Sequence, residues 1–354
     1  MHGGVIQKTR VSERLFGNYG KVYAIFFALV ALHSLVAFAI SPRTVSEFIR
    51  PAHFLTIILL GIFPVLFFTL YTAVRFTVRR TPQPTRALLR VLYRNRTWLL
   101  RSCILFAISW PSHQAFIALK VAIPRLVPYY ADPWLADLDN LLFLGNDPWV
   151  FTHALFGSYT GLIDTIYYQW FTVVMWIHIW ASFSRNPRFQ IQATFAHMLT
   201  WLVLGNIFAI SLSSVGPIYY EHFYADDRFS PLLGRLDPDL NTMEVRAYLI
   251  GKYGMESFGS GISAAPSLHV ALTVLIYMMI RDRFTARHWL AYLALGYIAV
   301  IFIGSIHLAW HYALDGIISI IAVPFIYRFA GQLTERYSSV FVARRVSGTQ
   351  PQTM

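Results

Sequence analysis

Long apolar runs dominate this sequence and limit the folds that the chain can adopt. A helix needs about 20 apolar residues to cross the hydrocarbon core of a bilayer, which is roughly 30 Å thick. Charged residues make up only 13% of the chain, whereas soluble domains carry about 25%, so the chain lacks the charge that a water-facing surface needs. The runs predict an all-α polytopic membrane protein with about eight transmembrane helices, near residues 22–40, 53–74, 98–119, 162–183, 191–213, 266–280, 289–309 and 314–330.

The basic residues alternate with these runs and predict the orientation of the chain. The formal net charge is +12, but no nucleic-acid-binding motif accompanies it, so nucleic acid is not expected as a partner. With eight spans, all the basic segments fall on one side, which the positive-inside rule assigns to the cytoplasm. These segments are the N-terminus up to Lys21, the loops at 75–101, 185–188 and 281–287, and the tail from Arg328. Both termini are therefore expected in the cytoplasm, in a bacterial inner membrane or an equivalent membrane.

The segments on the opposite side are longer and have a different composition. Residues 120–160 and 215–265 contain most of the acidic residues, together with many aromatic, proline and glycine residues. Aromatic residues are enriched at membrane–water interfaces, so the stretch 128–149 is expected to lie along the outer interface. The single cysteine, Cys103, lies within an apolar run. Neither an intramolecular disulfide nor a cysteine metal site can therefore form.

Three ionisable residues are brought together by the order of the last three spans. His269 opens the sixth span, His311 lies just after the seventh, and Asp315 follows four residues later. A helical hairpin that crosses the bilayer and returns brings its two ends to one face, so these residues are predicted to be neighbours at the outer face. Ionisable groups are costly within a span, which makes each of them a candidate for function. Other histidines within spans belong to no recognisable cluster in the sequence: His33, His113, His178 and His197.

The spacing of this group suits phosphoryl transfer. His311 and Asp315 share a helix face, so the carboxylate can accept a hydrogen bond from one ring nitrogen and leave the other free as a nucleophile. Ser267 lies at the start of a helix, where backbone amides and the positive helix end favour an anionic phosphate. The glycine-rich approach at 258–261 lets the backbone come close to such a ligand. His269, in the same turn, can protonate a leaving oxygen.

Two short strings resemble motifs of the type 2 phosphatidic acid phosphatase superfamily, which contains membrane lipid phosphatases and phosphotransferases. The first, at 266–269, reads P-S-L-H, and the second places Ser305, His311 and Asp315 at motif positions. The resemblance implies that His311 is the nucleophile and forms a phosphohistidine, that Asp315 orients it, and that His269 is the general acid. It implies no metal and no other cofactor.

The same resemblance implies a domain organisation. A six-helix catalytic membrane domain, built from spans three to eight, is expected over residues 98–335. Residues 1–97 would form an N-terminal cytoplasmic segment, two additional transmembrane helices and a basic cytoplasmic loop. Residues 336–354 would form a cytoplasmic tail.

The chain departs from the usual motifs of the superfamily in a way that resembles one of its branches. Leu268 stands in place of a glycine, Ser305 stands in place of a phosphate-binding arginine, and the upstream K-x6-R-P motif is absent as written. A P-S-L-H string with a small hydroxyl residue at the arginine position resembles the inositolphosphotransferase branch, which includes inositol phosphorylceramide synthase. That branch also has a turn rich in proline and tyrosine where this chain has residues 214–220. The resemblance therefore implies these phosphate- or substrate-binding residues: Ser267, Ser305, Gly216 and Tyr219.

Another cation must neutralise the phosphate in place of the missing arginine. Arg228 and Lys252, both expected on the outer side, are the candidates that we name first. The other basic residues expected on that side are Lys120, Arg125, Arg235 and Arg246.

The resemblance predicts a metal-independent enzyme that moves a phospho-headgroup, similar to inositol phosphate, from a membrane phospholipid to a lipid alcohol. Water as the acceptor would instead give a lipid phosphate phosphatase acting on phosphatidic acid or a prenyl (di)phosphate. Two other classes stay open. A metal-dependent membrane enzyme would use His307, His311 and Asp315, which share one helix face. A transporter would use the histidines within the spans.

Overall fold

The computed structural model of the chain is built from α-helices. It describes residues 16–43, 45, 51–255 and 259–338, and within these ranges there is no β-strand. The prediction of an all-α polytopic membrane protein is confirmed. Some predicted features lie outside the described residues, namely the basic residues before position 16, Phe258 of the glycine-rich approach, and the tail from residue 339.

The helices are labelled here in chain order. The first are α1 (Gly20–Ile40), α2 (Pro51–Val78), α3 (Pro84–Leu126), α4 (Asp132–Leu142), α5 (Pro148–Phe156), α6 (Thr160–Tyr168), α7 (Trp170–Ser182) and α8 (Pro187–Leu202). They are followed by α9 (Tyr220–Tyr224), α10 (Ser230–Leu233), α11 (Asn241–Lys252), α12 (Leu268–Arg283), α13 (Trp289–His307) and α14 (Ala313–Arg336).

Within the described residues, six helical segments are long and apolar enough to cross a membrane: Gly17–Ile40, Gly61–Val78, Pro84–Leu126, Pro187–Ser211, Trp289–His307 and Ala313–Arg336. The fourth and sixth predicted spans are also helical, but their helices are shorter than these six segments. The fourth is divided at Gln169, which ends α6 and precedes α7. The sixth is α12, which has only 16 residues because the helix begins after Ser267.

Side-chain contacts bring the predicted cytoplasmic segments to one end of the helical body. Arg188 Nη2 lies 2.8 Å from Glu335 Oε1, and Arg188 Nη1 lies 3.5 Å from Asp282 Oδ1. The Arg185 guanidinium lies 4.3 Å from the ring centroid of Trp98. Exposed pairs of this kind contribute at most about 1 kcal/mol each. They nevertheless show that four basic segments lie together, namely the loops at 75–101, 185–188 and 281–287 and the tail from Arg328. The assignment of this end to the cytoplasm stays a prediction.

The last three helices form the centre of the fold. α12 packs against α13, α14 and α8, while α1 and α2 pack against α3. A Cβ atom at Gly316 would lie 2.5 Å from the Phe302 ring, so only glycine lets α14 approach α13 this closely. Small residues at such contacts are typical of membrane helices, because close packing replaces the hydrophobic driving force there. The hairpin that carries the predicted site is therefore closely packed against α14.

The end of α8 departs from α-helical geometry. The helix continues through a π-helical segment, Val203–Phe208, and a last turn, Ala209–Ser211. A Cβ atom at Gly205 would lie 2.6 Å from the Phe116 ring, so this segment lies directly against α3. The Asn206 amide donates to the Phe116 carbonyl at 3.1 Å. π-Helical segments often mark functional sites, and Gly205 lines the cavity described below.

Candidate active site

His269, His311 and Asp315 form one row of side chains. His311 Nδ1 lies 3.3 Å from Asp315 Oδ2, and His311 Nε2 lies 3.4 Å from His269 Nδ1. An ionised carboxylate only accepts hydrogen bonds, so His311 donates from Nδ1 and keeps a lone pair on Nε2. Asp315 is fully buried and His311 nearly so. The row therefore places a nucleophilic nitrogen beside a second imidazole.

Two helix starts hold this row in place. Ser267 precedes α12, and its Oγ accepts a hydrogen bond from the Val270 amide at 3.4 Å. The Ser267 amide donates to the Asp315 carbonyl at 3.1 Å, and the Ser319 hydroxyl donates to the Ser267 carbonyl at 2.8 Å. The Tyr312 amide donates to Asp315 Oδ2 at 3.1 Å. The start of α12 is thus bound directly to the start of α14, and Ser267 acts as a helix cap.

Two aromatic residues fix the ring of His269. Tyr167 of α6 stacks on it with a centroid separation of 4.5 Å, and Trp170 of α7 lies at 4.2 Å. Trp170 Nε1 also donates to the His269 carbonyl at 3.0 Å. These residues lie on either side of the break at Gln169. Nothing in the spacing of the sequence distinguishes them from the other aromatic residues of that run, so their role could not be predicted from the sequence.

Asp132, at the start of α4, binds the loops around the site. It is fully buried, and its carboxylate accepts hydrogen bonds from the amides of Val215 and Gly216 at 2.9 and 2.7 Å. It also accepts from the hydroxyls of Tyr224 and Tyr312 at 2.9 and 3.0 Å. Burial raises the pKa of Asp132, and these donors oppose that effect. The carboxylate thereby joins the proline- and tyrosine-rich turn to the residue that follows His311.

Asp139, two turns further along α4, caps the helix that carries Asp315. Its two carboxylate oxygens accept from the amides of Ala313 and Leu314 at 2.6 and 2.9 Å. Such amides at a helix start have no partner within the helix. Burial raises the pKa of Asp139 to about 6, against the lowering effect of the two amides. In the sequence, both aspartates are only two of the acidic residues of an outer segment, and no local pattern indicates these contacts.

A cavity of about 370 Å³ opens beside the row and is lined by His269 and His311. Most of its wall is aromatic and aliphatic. Among the described residues, Lys120 of α3 is the only lysine or arginine in the wall. A Cβ atom at Gly261 would lie 3.0 Å from the backbone of Lys120, so the glycine-rich approach passes directly over this residue. The cavity therefore combines an apolar wall, a pair of histidines and one cation.

One carboxylate also lines the cavity, and its hydrogen bonds are directed at α11. Asp164 accepts from the amides of Asn241 and Thr242, each at 2.9 Å, and from the Asn241 side chain at 2.8 Å. Trp310, next to His311, donates from its indole nitrogen to Thr242 Oγ1 at 3.1 Å. α11 is thereby attached to the wall of the cavity from both sides.

The residues implied as substrate-binding have different positions. Tyr219 lines the cavity. Gly216 lies behind it with φ +84°, and a Cβ atom there would lie 2.5 Å from the Trp310 carbonyl oxygen. The Ser305 hydroxyl donates to the Phe302 carbonyl at 2.7 Å, and the Ser305 carbonyl accepts from the His311 amide at 3.0 Å. Gly216, Ser267 and Ser305 thus support the site from behind, outside the cavity wall.

The two cations that we named first do not line the cavity. Arg228 Nη1 lies 2.7 Å from Asp137, and its Nη2 lies 2.9 Å from Asp147. Although partial burial opposes the effect, these two carboxylates raise the pKa of Arg228. Its charge is therefore neutralised within the outer segment. Lys252 ends α11 away from the cavity wall, and Lys120 is the candidate that the structure brings to the site.

His307, which the metal-enzyme alternative requires, has other partners. Its Nε2 lies 2.8 Å from Thr160 Oγ1, and its ring stacks on His153 with a centroid separation of 3.8 Å. Within the described residues, no group of three or more His, Cys, Asp or Glu residues has a geometry that could hold a metal ion.

Three of the histidines within spans lie close together in the structure. His113, His178 and His197 come from α3, α7 and α8 and have mutual ring-centroid separations between 4.5 and 5.8 Å. Helix packing therefore joins three positions that are far apart in the sequence and form no recognisable cluster there.

Comparison with protein families gives a match to the model of the PAP2 superfamily over residues 133–329. This range covers more than half of the chain and contains His269, His311 and Asp315. No curated protein and no solved structure matches the chain. The matched range, together with the site geometry, shows that the chain belongs to the PAP2 superfamily, whose members are generally phosphatases or phosphotransferases.

Proposed function

We propose that this protein transfers a phospho-headgroup, similar to inositol phosphate, from a membrane phospholipid to a lipid alcohol through a phosphohistidine at His311. The observation that carries the proposal is the position of His311, between Asp315 at 3.3 Å and His269 at 3.4 Å, in the wall of a largely apolar cavity. An apolar cavity suits a lipid, and a histidine whose tautomer is fixed suits nucleophilic attack.

The first half-reaction forms the covalent intermediate. His311 Nε2 attacks the phosphorus of the donor, and the bond from phosphorus to the oxygen of the departing lipid alcohol breaks. His269, in its protonated form, gives its proton to that oxygen. Asp315 stabilises the positive charge that develops on the His311 ring. The products are the free lipid alcohol and a phospho-headgroup on His311.

The second half-reaction regenerates the enzyme. The hydroxyl of the acceptor gives its proton to His269, its oxygen attacks phosphorus, and the bond from phosphorus to His311 Nε2 breaks. With a lipid alcohol as acceptor the product is a new phospholipid, whereas water would give the phosphatase reaction. In both halves we assign to Lys120 the neutralisation of the phosphate oxygens, because it is the one lysine or arginine that the described cavity wall contains.

A pair of variants tests this proposal. Purified wild type and His311→Ala are placed in liposomes with labelled phosphatidylinositol, phosphatidic acid or a prenyl diphosphate, with and without ceramide or diacylglycerol. His222→Ala, which changes an exposed histidine of the outer segment, serves as the matched control.

We expect His311→Ala to lose all turnover and His222→Ala to keep it. A phospholipid product that forms only when a lipid alcohol is added supports the transferase. Release of the free headgroup phosphate alone, whichever alcohol is supplied, would replace the transferase with the phosphatase. Normal turnover in His311→Ala would contradict the mechanism.

A further inference from the structure

The histidine cluster lies beside a second, smaller cavity between α3, α7 and α8. His113 Nε2 lies 3.3 Å from His197 Nε2, and the ring of His178 stacks on that of His197 at 4.5 Å. With Gln114, these histidines line a cavity of about 150 Å³. All four residues lie in helices that we place in the bilayer, where polar side chains are costly unless their hydrogen bonds are satisfied.

Hydrogen bonds decide which ring nitrogens of the first pair carry hydrogen. His113 Nδ1 lies 2.8 Å from the Ser109 carbonyl, which can only accept, so the lone pair of His113 is on Nε2. Trp201 Nε1 donates to His197 Nε2 at 3.0 Å, so this nitrogen is an acceptor as well. Two acceptor nitrogens therefore face each other across 3.3 Å.

Two further acceptors in the wall have no hydrogen-bond partner among the described residues. They are His178 Nδ1 and Gln114 Oε1, on side chains that are only 4% and 6% exposed. The Ser109 hydroxyl lies 2.8 Å from His178 Nε2, 3.0 Å from the Leu105 carbonyl and 2.8 Å from the Phe106 carbonyl. Serine hydroxyls within helices commonly donate to a carbonyl one turn earlier, and with this assignment His178 donates from Nε2 and accepts at Nδ1. A ligand of this cavity has to supply hydrogen-bond donors.

We propose that this cavity binds a hydroxyl group carried on the hydrocarbon chain of a membrane lipid. A hydroxyl supplies a donor to the unpaired acceptors at little cost of desolvation, whereas an ammonium would be far more costly at this position. The rest of the wall is apolar, with Trp110, Ile117 and Met175. Phe171, also in the wall, is 57% exposed on the outside of the helical body, and the ligand reaches the cavity from the lipid on this side.

The position of the cavity explains why the hydroxyl belongs to a chain rather than to a headgroup. The second cavity shares Phe116, Phe171 and Trp201 with the active-site cavity. His113 precedes Lys120 by two turns of α3, or about 10 Å along the helix axis. A lipid headgroup at the level of Lys120 therefore extends its chains towards the histidines. The site contains no reacting group and goes beyond the proposed transfer, and its occupancy does not depend on phosphorylation of His311.

Photolabelling of the full-length protein in lipid nanodiscs tests this site. One probe is the methyl ester of a diazirine-bearing hydroxystearate, whose hydroxyl lies midway along the chain. The second probe is its O-methyl ether, which keeps the oxygen acceptor, lacks the hydrogen-bond donor and is larger by one methyl group. We expect the hydroxyl probe to label peptides from residues 106–117 and 171–178 about fivefold more than the ether, since one hydrogen bond contributes about 1 kcal/mol. Unlabelled hydroxystearate ester should compete, and unlabelled ether should not.

A substitution assigns the preference to the cavity. Gln114→Leu keeps the size of the side chain and removes an unpaired acceptor, so we expect the preference for the hydroxyl probe to fall at least about twofold. Gln169→Leu, the same change at an exposed position, should keep it. Equal labelling by both probes in the wild type would overturn the proposal and would indicate that water or hydrocarbon fills the cavity. The comparison of the two probes in the wild type tests the proposal even where Gln114→Leu fails to fold. An unchanged preference for the hydroxyl probe in a folded Gln114→Leu would also overturn the proposal.

Discussion

At the scale of single residues, Lys120 is the cation in the wall of the candidate active-site cavity. Within the described part of the chain, no other lysine or arginine lines that wall. Arg228, which is better placed by sequence alone, is bound by Asp137 and Asp147. We therefore expect a phosphate bound beside His311 to depend on Lys120 for compensation of its charge.

Removal of this charge should weaken donor binding. We expect Lys120→Ala to lower kcat/KM for the donor by about 10- to 100-fold, which corresponds to the loss of one hydrogen bond between charged groups. Lys120→Arg, which keeps the positive charge, should recover part of the lost kcat/KM. Lys21→Ala changes an exposed lysine of α1 and should leave the kinetics as in the wild type. Steady-state kinetics in mixed micelles measure this, and unchanged kcat/KM in Lys120→Ala would show that another group binds the phosphate.

The histidine–aspartate row could be predicted from the sequence, but the cation could not. His311 and Asp315 are four residues apart, and hairpin geometry brings His269 to the same level. The predicted helix face shared by His311 and Asp315 is wrong, because α14 begins at Ala313 and His311 lies in the turn before it. In contrast, Arg228 is bound by residues 91 and 81 positions away. No local pattern indicates such a pairing, so the choice between Arg228 and Lys120 needed the packed structure.

At the scale of elements, α4 determines the position of the first turn of α14. Asp139 binds the first two amides of α14, and Asp132 binds the Tyr312 hydroxyl. Both contacts join residues that are more than 170 positions apart. The sequence predicts that α4 lies along the outer interface, but it contains no signal for these long-range caps. We infer that α4 positions His311 without contacting the substrate.

The cap at Asp139 should make activity sensitive to pH. The pKa of Asp139 is about 6, so this carboxyl becomes protonated below that pH and loses an acceptor for one of its two amides. We expect kcat of the wild type to fall as the pH drops through about 6. Asp139→Asn should have a kcat about fivefold lower at pH 8, consistent with the loss of about 1 kcal/mol of capping, and should lack the part of the acid limb that Asp139 causes. KM should change little.

The stability of the protein should follow the opposite trend, which separates the two roles of Asp139. Its pKa is above the ordinary value of 3.8, so the folded chain binds this proton more tightly than the unfolded chain does. The stabilising contribution of Asp139 to the free energy of unfolding is present below about pH 4 and is lost as the pH rises through about 6. Asp137→Asn, on the same helix, is the control in both the stability and the activity measurements.

Identical pH profiles of kcat in wild type and Asp139→Asn would contradict the positioning role of Asp139.

At the scale of the whole molecule, the alternation of basic and acidic segments corresponds to two ends of the helical body. The contacts of Arg185 and Arg188 join four basic segments at one end. This part of the fold could be predicted from the sequence, since length, apolarity and charge are properties of local segments. The break at Gln169 and the π-helical end of α8 could not, because packing against α3 and α12 determines them.

Thiol labelling of intact cells tests the orientation. Cys103→Ser supplies a background without thiols, into which single cysteines are introduced at Arg283 and at Asp239. We expect a membrane-impermeant maleimide to react with Asp239→Cys from outside, and with Arg283→Cys only after permeabilisation. The reverse pattern would place the active site at the cytoplasmic face. Reaction of both positions from one side would contradict the crossing of the bilayer by α12.

Capture of the covalent intermediate tests the central claim most directly. The enzyme is mixed with a donor labelled in its headgroup phosphate, without acceptor alcohol, quenched in alkali to preserve a phosphoramidate, and digested for mass spectrometry. We predict the labelled phospho-headgroup on the peptide that contains His311, at Nε2, and its loss when a lipid alcohol is added, with the label appearing in the new phospholipid. Turnover without any label on His311, or label on another residue that is passed to the acceptor, would contradict the account.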